Sequence, residues 1–517
     1  MNLTHFNLIL HSHIPFVLDK GKAPFGEEWL FEAVAESYIP LLNILNKLKD
    51  KNISPKIAIS FSPILLDQLA HHTFDAKFNN YCYDKIQFAH LDKLKFIAEK
   101  NIIKSKLAEK WELFYHKTIQ DYKIKYNNSI INEFKKLQDE GHIEIIITAA
   151  THSFLPLIND DDNIEAQIMT SKKAYLNYFN SIPKGFWLPE CGYRDGIDTL
   201  LIKHGFEYII SDDNVIPKSE ILEEIDKSII DNYSKNLYVL NSGIKLIVRN
   251  NDLAMQVWSS DIGYPGDKNY LDFHTKQENS FLRYSKITGK DVEFSDKNLY
   301  DNSWQEILEN HVYHFSNHII SIADNTDNDD NGNSIICLPF DTELFGHWWF
   351  EGCEFLYRLL ITLDDNQIKI STCKNIINIK ESKPIKIKLA NSSWGLGNDF
   401  RIWKNKDTEY YLNLFLIAEI KLNELREISK ENIDLKNKSK FEKLVKYASK
   451  ELSLLMASDW LFMITNKIAE DYAKKRIMEH YNRFNSIYEL KYSEDLSAEL
   501  NKYPELDNLF EYAEIMN

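Results

Sequence analysis

Cysteine is scarce in this chain, and its spacing excludes two kinds of site. The five cysteines, Cys82, Cys191, Cys337, Cys353 and Cys373, form no C-x-x-C pair, so neither a zinc ribbon nor a dithiol redox site is encoded. Their odd number indicates a reducing compartment, because secreted chains tend to pair their cysteines. A Gly-rich phosphate loop and a G-x-S-x-G elbow are also missing from the sequence.

Positive charge and long apolar runs are in short supply as well. The 61 Lys and Arg are outnumbered by 77 Asp and Glu, and the formal charge of −16 argues against a nucleic-acid partner while permitting a neutral substrate. No apolar run approaches the roughly 18 residues of a membrane span, and residues 1–10 contain neither a basic leader nor a small-residue cleavage site. We therefore predict a cytoplasmic protein without a nucleic-acid or membrane partner, and the sequence leaves its oligomeric state undefined.

What is present is ample material for a folded core. Apolar residues make up 44% and aromatic residues 13% of the 517 residues, which excludes a disordered chain. Seven short runs rich in Ile, Val and Phe end in polar or turn residues, as buried parallel strands do. They are residues 6–10, 57–60, 143–148, 185–188, 208–211, 246–248 and 335–340, with a weaker candidate at 385–389. Their alternation with helical stretches indicates a barrel-like α/β fold.

Two regions have a helical pattern. The stretch 88–138 is charged, lacks Gly and Pro and precedes Gly141, which predicts a helical insertion at about 65–138. Tyr411, Leu414, Ala418 and Leu422 keep helical spacing further along the chain. We therefore predict a barrel domain over residues 1–403 and an all-helical domain over 404–517.

Histidines follow two of the predicted strands, at the end of a parallel barrel where functional residues collect. His11 and His13, two residues apart, lie on the same side of an extended segment. A metal site, a polar substrate site and a structural role all fit this pair. His152 follows the third strand, and a structural role is the more common one for a lone histidine.

Two acidic residues also follow predicted strands. Glu190 lies between Trp187 and Tyr193, and Asp341 ends the apolar run 335–340. A carboxylate held among rings suits a nucleophile or an acid/base group, whereas capping of the next helix is the structural alternative for Glu190. Two such carboxylates satisfy the requirement of glycoside chemistry. Tryptophan rings stack on sugar faces, although a single tryptophan is more often a core residue. The five candidates are Trp258, Trp348, Trp349, Trp394 and Trp403.

Together these segments resemble glycoside hydrolase family 57, and more narrowly its 1,4-α-glucan branching enzyme group. The matching segments are HSHIP at 11–15, GEEWLFEA at 26–33, THSFLP at 151–156, WLPECGY at 187–193, QVW at 256–258, GYPGD at 263–267, FDTELFGHWW at 340–349, SSWG at 392–395 and ASDW at 457–460. They follow one another in order through nearly the whole chain, including the C-terminal helical domain typical of that group.

The resemblance implies an incomplete (β/α)7 barrel and a retaining mechanism, with Glu190 as nucleophile and Asp341 as acid/base. A glucan chain carried on Glu190 would be transferred to a 6-hydroxyl, which creates an α-1,6 branch. The resemblance implies no metal and no cofactor. It places around the −1 sugar His11, His13, His152 and His347, and on the acceptor side Trp258, Trp394 and Asp459.

Some positions depart from the family pattern. Leu271 stands where the family often has a substrate-contacting Arg, and Ile468 stands where the helical domain usually has Gln. A water-excluding lid tyrosine matches either Tyr233 or Tyr238. The alternatives are therefore an α-amylase or 4-α-glucanotransferase of the same family, or a catalytically silent glucan-binding protein. A metal-dependent polysaccharide deacetylase is more distant, because the sequence pairs no Asp with His11 and His13.

Overall fold

The computed structural model describes most of the chain. The described residues are 4–21, 25–225, 232–259, 261–288, 297–326, 334–379, 383–430, 435–493, 496–503, 506 and 509–511.

The core of the fold is a parallel barrel that does not close. The strands of the described chain are β1 (Thr4–Ser12), β2 (Ile57–Phe61), β3 (Ile143–Thr148), β4 (Gly185–Trp187), β5 (Tyr208–Asp212), β6 (Glu220–Ile221), β7 (Leu237–Leu240), β8 (Lys245–Arg249), β9 (Ser334–Asp341), β10 (Lys369–Ile370) and β11 (Ile385–Lys388). Parallel pairing joins seven of them in the order β9-β1-β2-β3-β4-β5-β8. Within the described residues no ladder pairs the two end strands, β8 and β9. They approach each other at one point, where the backbone N–H of Asn250 donates to the carbonyl of Cys337 over 2.8 Å. The incomplete seven-stranded barrel is thus confirmed.

All seven predicted barrel strands are present within a residue or two of their predicted bounds. The weaker candidate is also a strand, but it lies outside the barrel series, because β11 pairs with β7 and β6. Three further strands, β6, β7 and β10, were not predicted. Two of them have only two residues each, which is too short for an alternating pattern to show.

Helices surround the strands and fill the long connections. They are α1 (Glu27–Ala33), α2 (Ile39–Asp50), α3 (Pro63–Leu69), α4 (Phe74–Ala98), α5 (Ile102–Gln120), α6 (Ile130–Asp139), α7 (Asp161–Phe179), α8 (Ile197–Lys203), α9 (Asn251–Trp258), α10 (Trp304–Thr326), α11 (Gly352–Asp365), α12 (Cys373–Ile377), α13 (Glu409–Lys430), α14 (Leu435–Leu455), α15 (Ser458–Thr465), α16 (Glu470–Glu489) and α17 (Leu496–Leu500). The region 65–138 is helical, with α4 and α5 packed on each other as a hairpin. The boundary at 403/404 remains a prediction, and α13 to α17 follow it.

The C-terminal helices are joined to the barrel through buried polar contacts. The Glu419 carboxylate on α13 is 2% exposed and accepts hydrogen bonds from the side chains of Asn159 and Asn163 and from two backbone N–H groups of residues 159 and 160. Because a buried carboxylate is costly without donors, this set fixes α13 against the loop that follows β3 and the first turn of α7. The same loop carries His152.

A π-helical segment, Val34–Tyr38, separates α1 from α2. Such segments are rare and are often found at functional sites. Its consecutive residues Glu36, Ser37 and Tyr38 all bond to the segment that follows β9.

None of the described helices has both the length and the apolarity to cross a bilayer. The five cysteines are all buried and free.

Candidate active site

The two predicted catalytic carboxylates lie at the carboxyl ends of barrel strands. Asp341 is the last residue of β9 and is paired in register with His11 on β1, which is in turn paired with Ser60 on β2. Glu190 follows β4 within a short 3-10 turn, Pro189–Cys191. The strand order therefore brings sequence-distant side chains to one rim, as expected for a parallel barrel.

The backbone at Glu190 is in the left-handed region. Glu190 has φ 61° and ψ 22°, and Cys191 follows with φ 50°. Such a conformation costs a non-glycine residue on the order of 1–2 kcal/mol, and it persists where the surroundings fix it. Here the Glu190 carbonyl accepts the backbone N–H of Trp394 over 2.9 Å. Next in the chain, a Cβ on Gly192 would lie 2.5 Å from the Phe154 ring.

Two donors hold the Glu190 carboxylate. The Trp394 indole N–H donates to Oε2 over 2.8 Å, and the Ser458 hydroxyl donates to Oε1 over 2.8 Å. Burial raises the pKa of Glu190 to about 7, these two hydrogen bonds oppose that rise, and the negative charge of Asp459 adds to it. Hydrogen bonds to the charged form favour it, so the two donors stabilise the Glu190 anion that burial would otherwise disfavour.

Asp341 has a different environment. Burial raises the pKa of Asp341 well above its usual range, and the negative charges of Glu343, Glu190 and Asp459 raise it further, against an opposing effect from Arg249. A carboxyl group that stays protonated while its neighbour ionises is the arrangement that acid catalysis requires. The two carboxyl groups therefore lie in different environments, as the predicted roles of nucleophile and acid require.

Three predicted histidines stack beside these carboxylates. His11 and His152 join their Nε2 atoms over 2.9 Å, and His13 stacks on His152 with ring centroids 4.2 Å apart. His13 Nε2 bonds to Asp459 over 2.9 Å, so the C-terminal helix α15 supplies part of the rim. Burial and the neighbouring imidazoles lower the pKa of both His11 and His152 well below the usual value, which keeps these two rings neutral.

The same cluster contains the atoms that a metal ion would need. Among the described residues, His13, His152 and Asp459 each offer one ligand atom, and these atoms lie within 4.8 Å of one another. Asp459 is thus the carboxylate partner of His13 that the sequence did not reveal. Imidazole and carboxylate are ligands that zinc accepts, although the same groups hydrogen-bond a sugar equally well. The absence of a metal from the reaction stays a prediction.

Tryptophan rings line one side of the rim. Trp258, which ends α9, is 39% exposed, and its ring centroid lies 6.3 Å from Trp394 and 6.4 Å from Trp348. The guanidinium of Arg249 lies 5.9 Å from the Trp394 ring and pairs with Asp212. Trp258 stacks on the half-buried Trp394 ring and meets the Trp348 ring edge to face, and its role on the acceptor side stays a prediction.

His347 belongs to a second cluster. Its Nδ1 bonds to Glu36 over 3.1 Å, and its carbonyl accepts from Arg283 over 3.0 Å. Arg283 and Glu36 form a buried ion pair of 2.8 Å. The structure therefore holds His347 firmly, but through a network separate from the stacked histidines.

The positions that depart from the family pattern differ in their surroundings. Leu271 is buried and donates its backbone N–H to Glu351 over 3.1 Å, whereas Ile468 is 49% exposed on the helical side. Of the two tyrosines, Tyr238 is buried in β7 and donates to the carbonyl of Tyr233 over 2.7 Å. Tyr233 is half-buried on a short turn.

Several residues of the site were not predicted. Arg249 and Asp212 end β8 and β5 one residue beyond the predicted runs, where the strand-end rule could have found them. Ser458 lies in the ASDW segment next to Asp459, and Glu343 lies in the FDTELFGHWW segment two residues after Asp341. Tyr38, which bonds to Glu343, had no sequence signal, because nothing marks a π-helical segment.

Two family models and several known proteins are similar to this chain. The model of glycosyl hydrolase family 57 matches residues 7–390, and the model of the 1,4-alpha-glucan branching enzyme C-terminal region matches residues 420–516. A 1,4-alpha-glucan branching enzyme of Thermococcus kodakarensis is 33% identical over 510 residues, covering 93% of this chain and 73% of that protein.

Solved structures are similar over nearly the full length. The crystal structure of a family 57 branching enzyme from Pyrococcus horikoshii has a TM-score of 0.89 and 33% identity, covering 98% of this chain and 95% of that one. The alpha-amylase AmyC from Thermotoga maritima has a TM-score of 0.85 and 27% identity, covering 100% of this chain and 98% of that one. On the family model and these relatives, the chain belongs to glycosyl hydrolase family 57.

Proposed function

We propose that this chain is a retaining 1,4-alpha-glucan branching enzyme that forms α-1,6 branches in a glycogen-like polymer. The observation that carries the proposal is the contrast between the two carboxyl groups: Glu190 is held by two donors, and Asp341 is surrounded by like charges. The match of its C-terminal region to the branching enzyme model, together with the similar branching enzymes, supports transfer over the other reactions of the family.

In the first half-reaction, the Glu190 carboxylate attacks the anomeric carbon of an α-1,4-linked glucose. Asp341 protonates the departing glycosidic oxygen, and the donor chain remains esterified to Glu190. In the second half-reaction, Asp341 takes the proton from a 6-hydroxyl of an acceptor glucan. That oxygen forms the α-1,6 bond as the bond to Glu190 breaks, and both carboxyl groups return to their first state.

Choice between transfer and hydrolysis depends on keeping water away from the glycosyl-enzyme. We infer that Tyr233 provides this cover, since Tyr238 is committed to the strand interior. Tyr233→Phe should raise the ratio of hydrolysis to branching, while Tyr238→Phe should leave the ratio unchanged and lower only the melting temperature. Equal ratios in the two variants would remove Tyr233 from the lid.

A second candidate, an alpha-amylase, is favoured by the similarity to AmyC and by Leu271 and Ile468. Incubation with amylose separates the reactions. New α-1,6 linkages by NMR support branching, a rise in reducing ends alone supports hydrolysis, and redistribution of α-1,4 chain lengths supports disproportionation. Glu190→Gln should abolish every product, and unchanged activity in that variant would refute the mechanism. A wild-type protein that binds glucan without turnover would instead be a silent binder.

We further infer a cytoplasmic location. Five buried, free cysteines fit a reducing compartment, and an uncharged glucan suits a chain with a formal charge of −16.

A further inference from the structure

An unbroken series of hydrogen bonds ends at the nucleophile. Ser60 Oγ bonds to His11 Nδ1 over 3.1 Å, and His11 Nε2 bonds to His152 Nε2 over 2.9 Å. His152 Nδ1 bonds to Ser458 Oγ over 2.8 Å, and Ser458 Oγ bonds to Glu190 Oε1 over 2.8 Å. The four side chains come from β1, β2, the loop after β3 and α15, and they are buried.

Elementary donor and acceptor rules fix the direction of every bond in this series. An ionised carboxylate only accepts, so the Ser458 hydroxyl must donate to Glu190. Its oxygen is then free to accept the Nδ1–H of His152. A neutral imidazole carries one proton, so His152 Nε2 must accept from His11 Nε2–H.

The last bond follows in the same way. His11 has placed its proton on Nε2, so its Nδ1 accepts the hydroxyl proton of Ser60. Both rings have to be neutral for this pattern. Their burial and the adjacent His13 keep them so. Asp459 and Asp341 act on Glu190 at the end of the series, and Glu343 and Arg249 act on Asp341 in turn.

We propose that Ser60, His11, His152 and Ser458 form a directed hydrogen-bond relay that positions the Glu190 carboxylate, and that the relay reverses as a unit when Glu190 is not an anion. With a proton on Oε1, Glu190 donates to Ser458, Ser458 donates to His152 Nδ1, His152 Nε2–H donates to His11, and His11 Nδ1–H donates to Ser60. Each histidine and hydroxyl keeps one proton in both arrangements, and the additional proton resides on Glu190. The relay rests on the proposed function only for the role of Glu190 as nucleophile.

Glu190→Gln tests the reversal without any turnover. The Trp394 indole can only donate, so the carbonyl of the introduced glutamine must face Trp394 and its amide NH₂ must face Ser458. This forces the reversed arrangement. In the full-length protein labelled with ¹⁵N-histidine, long-range ¹⁵N–¹H spectra should show the Nε2–H tautomer for His11 and the Nδ1–H tautomer for His152 at alkaline pH. Both should invert in Glu190→Gln.

The two resonances can be assigned with His11→Gln and His152→Gln. Identical tautomers in the wild-type and Glu190→Gln proteins would overturn the relay, as would a protonated ring at either position. The spectra require folded protein and no substrate, so this result is independent of whether the chain branches, hydrolyses or only binds glucan.

Ser458 itself is tested by kinetics. Ser458→Ala removes a hydrogen bond to a charged acceptor, and we expect kcat/KM on amylose to fall about 10- to 150-fold, with the acid limb of the pH–rate profile displaced to higher pH. Ser458→Thr should restore most of the activity and the original limb. Ser453→Ala is the matched control, because that hydroxyl bonds to the Ser449 carbonyl within α14, and it should match the wild type.

A loss of activity in Ser458→Ala with an unmoved acid limb would assign Ser458 a structural role and refute the positioning role. Inactive wild-type protein would instead refute the proposed function. The tautomer spectra would still test the relay in that case, because they need no activity.

Discussion

Removal of a single N–H group from Trp394 should change the charge state of Glu190, the proposed nucleophile. Trp394→Phe keeps an aromatic ring beside Trp187, whose centroid lies 5.3 Å away, but deletes the donor that lies 2.8 Å from Glu190 Oε2. A hydrogen bond to a charged group contributes about 1.5–3 kcal/mol, which corresponds to roughly 10- to 150-fold in kcat/KM.

The pH dependence of the rate is a sharper test than the fall in kcat/KM. Burial already raises the pKa of Glu190 to about 7, and loss of a donor to the ionised form raises it further. Because Glu190 must be ionised to attack, the acid limb of the pH–rate profile should move to higher pH. Initial rates of branch formation on amylose, followed across the pH range, measure both effects.

Trp403 offers a matched control. It is 1% exposed and stacks on Phe154 at 4.3 Å, and its indole N–H has no hydrogen-bond partner within the described residues. Trp403→Phe should lower the melting temperature through lost packing while leaving the acid limb in place. If the two variants share one pH profile, the Trp394 N–H does not tune Glu190, and the reasoning fails.

Other perturbations test the framework around the site. Burial raises the pKa of Glu351 from its ordinary value of 4.5 to about 7, so the folded wild type loses up to about 3 kcal/mol of stability as pH rises from the first value to the second. Chemical denaturation should show Glu351→Gln gaining stability relative to wild type across this window and no further gain above it, and a constant difference would contradict this. Gly346 has φ +112°, and a Cβ there would lie 1.8 Å from the Glu36 carbonyl oxygen. Gly346→Ala should therefore lower the melting temperature far more than Gly243→Ala, because Gly243 has φ +91° but nothing would lie within 4 Å of a Cβ at that position. Equal losses in the two variants would refute the steric argument. Arg283→Met leaves the Glu36 carboxylate buried without its ion pair and should cost about 3–5 kcal/mol of unfolding free energy. The double variant with Glu36→Gln should regain much of this loss. Additive losses in the two single variants would argue against the pairing.

The barrel was predictable from the sequence because its strands are buried on both sides. Runs such as 143–148 and 335–340 are almost continuously apolar, and this pattern is strong for parallel strands. The same pattern made Glu190 and Asp341 predictable, because a charged residue directly after an apolar run marks the end of a buried strand. Strands β6 and β10 have two residues each and depend on neighbours that no local pattern specifies.

The contacts within the site were harder to predict than its members. Asp459 was placed on the acceptor side, but its bond to His13 joins residues that are 446 positions apart. The tautomers of His11 and His152 follow from hydrogen-bond partners on four different elements, which only the folded chain assembles. Similarly, the contacts of Glu36 and Tyr38 could not be predicted, because they depend on a π-helical segment that turns successive residues towards the chain after β9.

The distance along the chain between Glu190 and its two donors has a consequence for biosynthesis. Trp394 and Ser458 follow the nucleophile by 204 and 268 residues, so a ribosome releases the barrel strands long before it releases these groups. Chains fold largely from the N-terminus during synthesis, and a barrel without α15 would hold an unsupported carboxyl group. We therefore expect the nascent chain to lack activity on glucan until α15 has docked on the barrel.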